Sequence, residues 1–251
     1  MERRMARDGK STVSIGGIAI VAENICFPLL FFYYACKSMM SLYTSYPRTL
    51  EVLVRLRELR FTSGDINFIS SVFDSCVIVI FNLLVCRGFL IRKSLHHVPK
   101  GLLNILIPLI ATFFYLMYSI SKSSSLQWNS ILLPENLLLS SRIFGVFFAL
   151  LGMLISTMAT LNLKRSFGIF VQVRKIETQG LYRQVRHPIY LGYILNWLAL
   201  CLLEPKAYNL LITSITIPLT LFRAHLEEKE LAAYSSEYRE YIKKTPFIFP
   251  H

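Results

Sequence analysis

Four stretches of this chain run for about twenty residues with almost no charge, and that pattern restricts the possible folds more than any other feature. They extend from Ile15 to Cys36, Phe68 to Cys86, Leu102 to Ile120 and Leu137 to Leu161. At a rise of about 1.5 Å per residue, about 20 helical residues cross a hydrocarbon core about 30 Å thick. Backbone amides and carbonyls in lipid must be bonded within their own segment, so such runs are expected to be helices. Two shorter apolar runs, Ile189 to Leu203 and Ala207 to Phe222, are separated only by Glu204, Pro205 and Lys206 and read as a tight helical hairpin. Its arms span by extending into polar flanks or by crossing a locally thinned region.

Composition supports lipid as the solvent. Hydrophobic residues make up 54% of the 251 and charged residues 17%, too apolar a balance for an ordinary soluble domain. The formal charge of +12 raises the question of nucleic acid. Its lysines and arginines, however, lie between apolar runs rather than on one stripe or tail, which excludes nucleic acid as the expected partner and points to membrane lipids. Basic residues gather at the N-terminus, in the Arg87 to Lys100 and Lys164 to Arg186 loops and in the C-terminal tail, whereas Ser121 to Asn136 and the hairpin tip are nearly neutral. The positive-inside rule then predicts about six spans with both termini cytoplasmic. One segment breaks the rule: Lys37 to Asp65 should lie outside yet carries Arg48, Arg55, Arg57 and Arg60. Its Leu50, Leu53, Leu56 and Leu59 recur at helical spacing, so it is expected to be an amphipathic helix in the interface. The basic start followed by an apolar run superficially resembles a secretory signal, but the run is too long and no small-residue cleavage site follows, so it is read as the first span. Cys26, Cys36, Cys76, Cys86 and Cys201 show no ligand spacing and read as small buried hydrophobes.

The fold expectation is therefore all-α: a polytopic transmembrane bundle with a C-terminal helical hairpin and a charged cytoplasmic tail. Composition changes after Leu161, where a basic loop dense in Gly, Tyr, His and Pro leads into the hairpin. We divide the chain into N-terminal helices over 1–140 and a C-terminal region over 141–251.

Ionisable groups flank both arms of that hairpin. In "RHPIYLG", Pro188 suits a first helical turn, which puts Arg186 and His187 at the mouth of the helix. Free amides and the positive helix end gather there, a setting for a carboxylate or phosphate. Tyr190 follows His187 on nearly the same face, and Gly192 lets another helix or a flat ligand approach the backbone. In "RAHLEEKEL", Glu227, Glu230 and Leu231 share a face, Glu228 points elsewhere, and Arg223 stands four residues before Glu227, at pairing distance. Read separately, the first cluster equally suits a cytoplasmic Arg/His boundary with interfacial tyrosines, and the second a solvated helix with routine ion pairs. Read together, the hairpin returns the Glu227/Glu228 pair to the membrane face that holds Arg186 and His187. Cations and anions then line one site, as a zwitterionic amino-acid moiety requires.

The order RHPxYxG, apolar hairpin, EExxL and a downstream Glu-Tyr-x-x-Tyr resembles the family that holds isoprenylcysteine carboxyl methyltransferases and phospholipid N-methyltransferases. "GLYRQVRHPIYLG" and "EEKEL" carry the likeness, which covers the region 141–251; Ser235 and Ser236 replace a Phe-Gly common in that family's tail. The resemblance implies an enzyme, with S-adenosylmethionine as cofactor and the cytoplasmic tail as part of the catalytic region. It implies that His187, Tyr190, Glu227 and Glu228 contact the cofactor. Gly180, Tyr182 and Arg186 would shape its mouth, and Pro188, Gly192 and Leu231 belong to the same motifs. Arg186 or His187 would hold the cofactor carboxylate, Glu227 or Glu228 its amino or ribose hydroxyl groups, and Arg223 with Glu227 would act on the acceptor. The acceptor is expected to be lipophilic and to enter from the bilayer: a prenylated cysteine or small lipid acid for O-methylation, or a lipid amine for N-methylation. Membrane sterol reductases share a related RHPxYxG region but bind a nicotinamide dinucleotide. They commonly place an acidic residue after the motif's glycine, where this chain has Tyr193. A transporter or scaffold is the non-enzymatic alternative.

Elsewhere the signals are weaker. His96 and His97 are adjacent, so on a helix they face about 100° apart and suit a basic loop better than a metal pair. Glu23 and Asp74 lie in or beside apolar runs, where ionisable residues often mark polar pathways.

Overall fold

The computed structural model describes residues 15–58, 60, 62–91, 102–113, 130–163, 168 and 176–249. Among them are the helices α1 (Ile15–Arg57), α2 (Ser63–Ile91), α3 (Leu103–Phe113), α4 (Glu135–Leu163), α5 (Pro188–Leu203), α6 (Ala207–Tyr234) and α7 (Ser236–Lys244), with a 3-10 turn at Gly180–Arg183. The described residues form no strand, only one isolated bridge between Ile131 and Lys206. The all-helical expectation therefore holds for them. His96, His97, much of the basic loop after Leu163 and the end of the third apolar run lie outside the described residues, as does the side chain of Asp74.

The first two expected elements are one. α1 runs unbroken for 43 residues, about 65 Å at helical rise, through Pro28 and Pro47. Sequence reasoning ended the span at Cys36 because the apolar run ends there, but helix continuity depends on backbone bonding and not on hydropathy. The amphipathic segment is the far end of that same helix. Its inward residue is Val52, whereas Leu50 and Leu53 are exposed.

α2 starts on a reciprocal cap. The Thr62 amide donates to Asp65 Oδ2 at 2.8 Å, and the Asp65 amide donates to Thr62 Oγ1 at 3.3 Å, so two end groups are satisfied at once. Arg55 at the end of α1 donates to Asp65 Oδ1 at 3.0 Å, which fastens the two helices at their junction. At the other end of the pair, Phe27 and Phe31 of α1 meet Val85, Cys86 and Phe89 of α2 and Ile105 of α3. Phe31 and Phe89 stack with centroids 6.3 Å apart, and the Cys86 thiol donates to the Pro28 carbonyl at 3.2 Å.

α4 shows most directly which solvent surrounds it. Its buried face is Ser141, Gly145, Ala149, Gly152, Ser156, Ala159 and Thr160, while Ile143, Phe144, Phe147, Leu150, Leu154, Met158 and Leu161 are exposed. A soluble helix does the reverse. Small residues inside and large apolar ones outside are what lipid selects, because apolar burial no longer drives association and close backbone packing does. Both α4 and the Glu23–Arg57 stretch of α1 are long and apolar enough to cross a membrane. Ile78–Ile91, Leu103–Thr112 and Pro188–Leu203 are shorter apolar stretches. We read the chain as an integral membrane protein.

The glycines on α4 set how close α5 comes. A Cβ on Gly152 would lie 2.7 Å from the Gly192 carbonyl oxygen, and one on Gly192 would lie 2.6 Å from the Gly152 oxygen. The group that approaches Gly192 is thus α4. The expected hairpin is present: Pro205 accepts from the Leu132 amide at 2.8 Å, and the buried Asn209 side chain donates to the Glu204 carbonyl at 2.8 Å. Of its arms, α6 extends well past the apolar run to Tyr234, whereas α5 keeps to 16 residues.

Candidate functional site

The hairpin determines where the charged motifs meet. From Ala207 to Glu227 α6 climbs about 30 Å, enough to return past the about 24 Å of α5 to the level of His187. Pro188 occupies the first turn of α5 with His187 as N-cap. There His187 Nε2 lies 3.2 Å from Glu228 Oε1, and Arg186 Nε lies 2.9 Å from the same oxygen. Tyr190 donates its hydroxyl to Glu227 Oε1, and Arg223 Nε is 3.4 Å from that atom. The His187 and Tyr190 rings stack with centroids 5.4 Å apart, and the Arg223 guanidinium sits 5.3 Å above the Tyr190 ring. Two carboxylates, two guanidiniums, an imidazole and a phenol thus form two ion-paired sets joined by the stacked His187 and Tyr190 rings.

Several expectations change in detail. Glu228 does not point away from the site: both members of the acidic pair face the start of α5, and it is Glu230 that turns aside, accepting from Asn104 of α3 at 2.8 Å. The amides of Arg186 and His187 are not open to an anion, since they donate to the Pro246 and Phe247 carbonyls at 2.9 and 3.2 Å. Gly180 adopts φ +63° and lies against Asn162, so a Cβ there would be both strained and 2.2 Å from the Asn162 amide nitrogen. It shapes the turn that buries Tyr182, whose carbonyl accepts from the Tyr241 hydroxyl. Leu231 is half-buried, and its carbonyl accepts from the Ser235 amide at 2.9 Å in the turn between α6 and α7. Glu23 is fully buried on α1.

Sequence reasoning missed the groups that complete the cluster. The Phe247 ring packs edge-on to His187 at 5.0 Å and lies 5.6 Å from the Arg186 guanidinium. Arg186 Nη1 also donates to the Ile242 carbonyl at 3.3 Å. Thr112 of α3 accepts from Arg223 Nη1 at 3.1 Å. Nothing in a lone threonine within an apolar run announces such a role; only the Pro-Phe ending after a charged helix was a weak sign.

Burial, reinforced by the negative charge of Glu227, pushes the Tyr182 phenol well above its ordinary value. Burial likewise raises Tyr241 to about 12, with Arg186 opposing the shift and Glu228 adding to it, and it raises Tyr238. These phenols stay protonated at neutral pH and serve as hydrogen-bond donors and packing surfaces, not as bases.

Fold and cluster together define a helical membrane protein with a mixed-charge site at the open end of a hairpin. Residues 140–236 match the profile of the phospholipid methyltransferase family. A methanethiol S-methyltransferase from Crocosphaera subtropica is 33% identical over 78 residues, 30% of this chain and 29% of that protein. The match thus spans less than a third of that relative's length.

Proposed function

We propose that the chain is an integral membrane, S-adenosylmethionine-dependent methyltransferase whose cofactor site is this cluster. The observation that carries the proposal is the double pairing: Glu228 with Arg186 and His187, and Glu227 with Tyr190 and Arg223. An amino-acid moiety needs an anion for its ammonium and a cation for its carboxylate, side by side and partly dry. The donor set fits. Arg186 or His187 would take the carboxylate, and Glu227 or Glu228 the ammonium or ribose hydroxyls. Each protein group exchanges an internal partner for one on the ligand, so no charge is stranded on either side of binding. Gly180 and Tyr182 shape the mouth beside it, Pro188 sets the start of α5, and Gly192 fixes that helix against α4.

When bound, the cofactor supplies a methyl group on a sulfonium, and its transfer is an in-line displacement that calls for alignment and desolvation rather than a protein nucleophile. The stacked His187 and Tyr190 rings and Phe247 exclude water. Arg223 orients the acceptor, and Glu227 takes a proton where the acceptor is an amine. We assign a lipophilic acceptor that arrives through the bilayer, with carboxyl O-methylation first and lipid amine N-methylation second. The name of the Crocosphaera subtropica relative favours adding sulfur acceptors to the comparison. The basic clusters support a topology of about six spans with both termini cytoplasmic.

Calorimetric titration of the purified chain with S-adenosylmethionine tests the site. Wild type should bind, while His187→Ala and Glu227→Ala should lose binding yet remain folded. A wild type that binds reduced nicotinamide dinucleotide instead, or variants that bind as wild type does, would refute the proposal. Labelled methyl transfer in membranes then separates acceptors: an ester product is base-labile, whereas a methylamine or thioether is not.

A further inference from the structure

α3 lies between two bodies. Ile105 packs into the Phe27, Phe31, Val85, Cys86 and Phe89 core of α1 and α2, and Pro108 is fully buried. Toward α6 it presents Asn104, bonded to Glu230 at 2.8 Å, and Thr112, bonded to Arg223 at 3.1 Å. The pairs cross in opposite order, so α3 runs antiparallel to α6, and the spacings match at about 12 Å on one helix and about 10 Å on the other. Polar bonds at both ends therefore fix the register between them.

Arg223 has more than one task at once. Its Nη1 meets Thr112, its Nε meets Glu227, and its plane lies over Tyr190. A guanidinium is rigid and planar, so holding one nitrogen sets the direction of the others. Thr112 is on a helix anchored from behind, and Arg223 is 7% exposed, with little room to swing while that bond holds.

We infer that Thr112 is a positioning residue for the cluster, acting through Arg223 to hold Glu227 and Tyr190 in their binding geometry. The N-terminal helices then contribute to the site itself and not only to its membrane anchorage. This inference rests on the cofactor site proposed above.

The test uses the full chain in detergent, with Thr112→Val, which keeps the shape and removes the hydroxyl, and Thr112→Ser, which keeps the hydroxyl. S-adenosylhomocysteine affinity is measured by calorimetry, and the unfolding temperature is measured without ligand. Losing a hydrogen bond to a charged group should weaken binding about tenfold in the valine variant. The serine variant should bind close to wild type, because it keeps the hydroxyl although it loses the methyl group that valine retains. Wild-type affinity in Thr112→Val, or equal weakening in both variants, would overturn the inference while leaving the cofactor site standing. A wild type that binds no S-adenosylhomocysteine would overturn both.

Discussion

Replacing either glycine at the α4–α5 crossing by alanine forces a collision that neither helix can relieve by rotating a side chain. The new Cβ would sit 2.7 Å from a backbone oxygen for Gly152 and 2.6 Å for Gly192, where ordinary contact begins at 3.4 Å. The helices must separate by roughly 0.7 Å, a gap that forfeits a quarter to a half of each dispersion contact beside it. With tens of contacts worth about 0.1–0.2 kcal/mol each, the loss is on the order of 2–3 kcal/mol. Alanine recovers up to about 1 kcal/mol of helix propensity. Each single variant should therefore lose about 1–2 kcal/mol, within the usual range for overpacking. The double variant is the sharper case. Once the helices have separated for one methyl group, the second meets a gap already opened. Gly152→Ala/Gly192→Ala should then be less destabilised than the sum of the singles by at least about 1 kcal/mol. Thermal unfolding in detergent, followed by tryptophan fluorescence, measures all three. Additive losses, or single variants as stable as wild type, would show that the two backbones do not meet at these positions.

Other outcomes follow from the charged groups. Glu228→Gln leaves Arg186, 10% exposed on its side chain, without its carboxylate, and should cost about 1–3 kcal/mol of stability as well as cofactor binding. Unchanged unfolding and binding in that variant would exclude the pair. The Thr62 amide, then its hydroxyl, then Arg55, hold the Asp65 carboxyl below its ordinary 3.8 against the opposing effect of burial. Because the folded value is depressed, the cap's contribution is fully present above the unfolded value and is lost as pH falls through the folded one. The stability contributed by this cap should therefore decline only below about pH 4, and Asp65→Asn should remove that component from the acid-unfolding profile. An Asp65→Asn profile superimposable on wild type would contradict it.

How much of this was legible differs by residue. The start of α5 could be read because proline at a first turn has a local cause, and the meeting of His187 with the acidic pair followed from helix lengths alone. The direction of Glu228 could not be read that way: side chains that long reach across the face to which their Cα belongs. The continuity of α1 was hidden because hydropathy reports solvent and not helical bonding. Thr112 and Asn104 were invisible as single polar residues in an apolar run, their partners lying more than a hundred positions away in sequence. Pro246 contributes through its carbonyl and Phe247 through its carbonyl as well as its ring, and a backbone contact leaves no mark in residue type.

Those two carbonyls close a ring. The bonds from Arg186 and His187 to Pro246 and Phe247 join the two ends of a stretch that contains the whole hairpin and α7. A ligand that settles against His187 and tightens the ring must, by reciprocity, be held more firmly when the tail is docked and must in turn hold the tail down. Resistance of the carboxyl-terminal segment to a protease would then rise with occupancy, reporting from outside the membrane on an event at its edge.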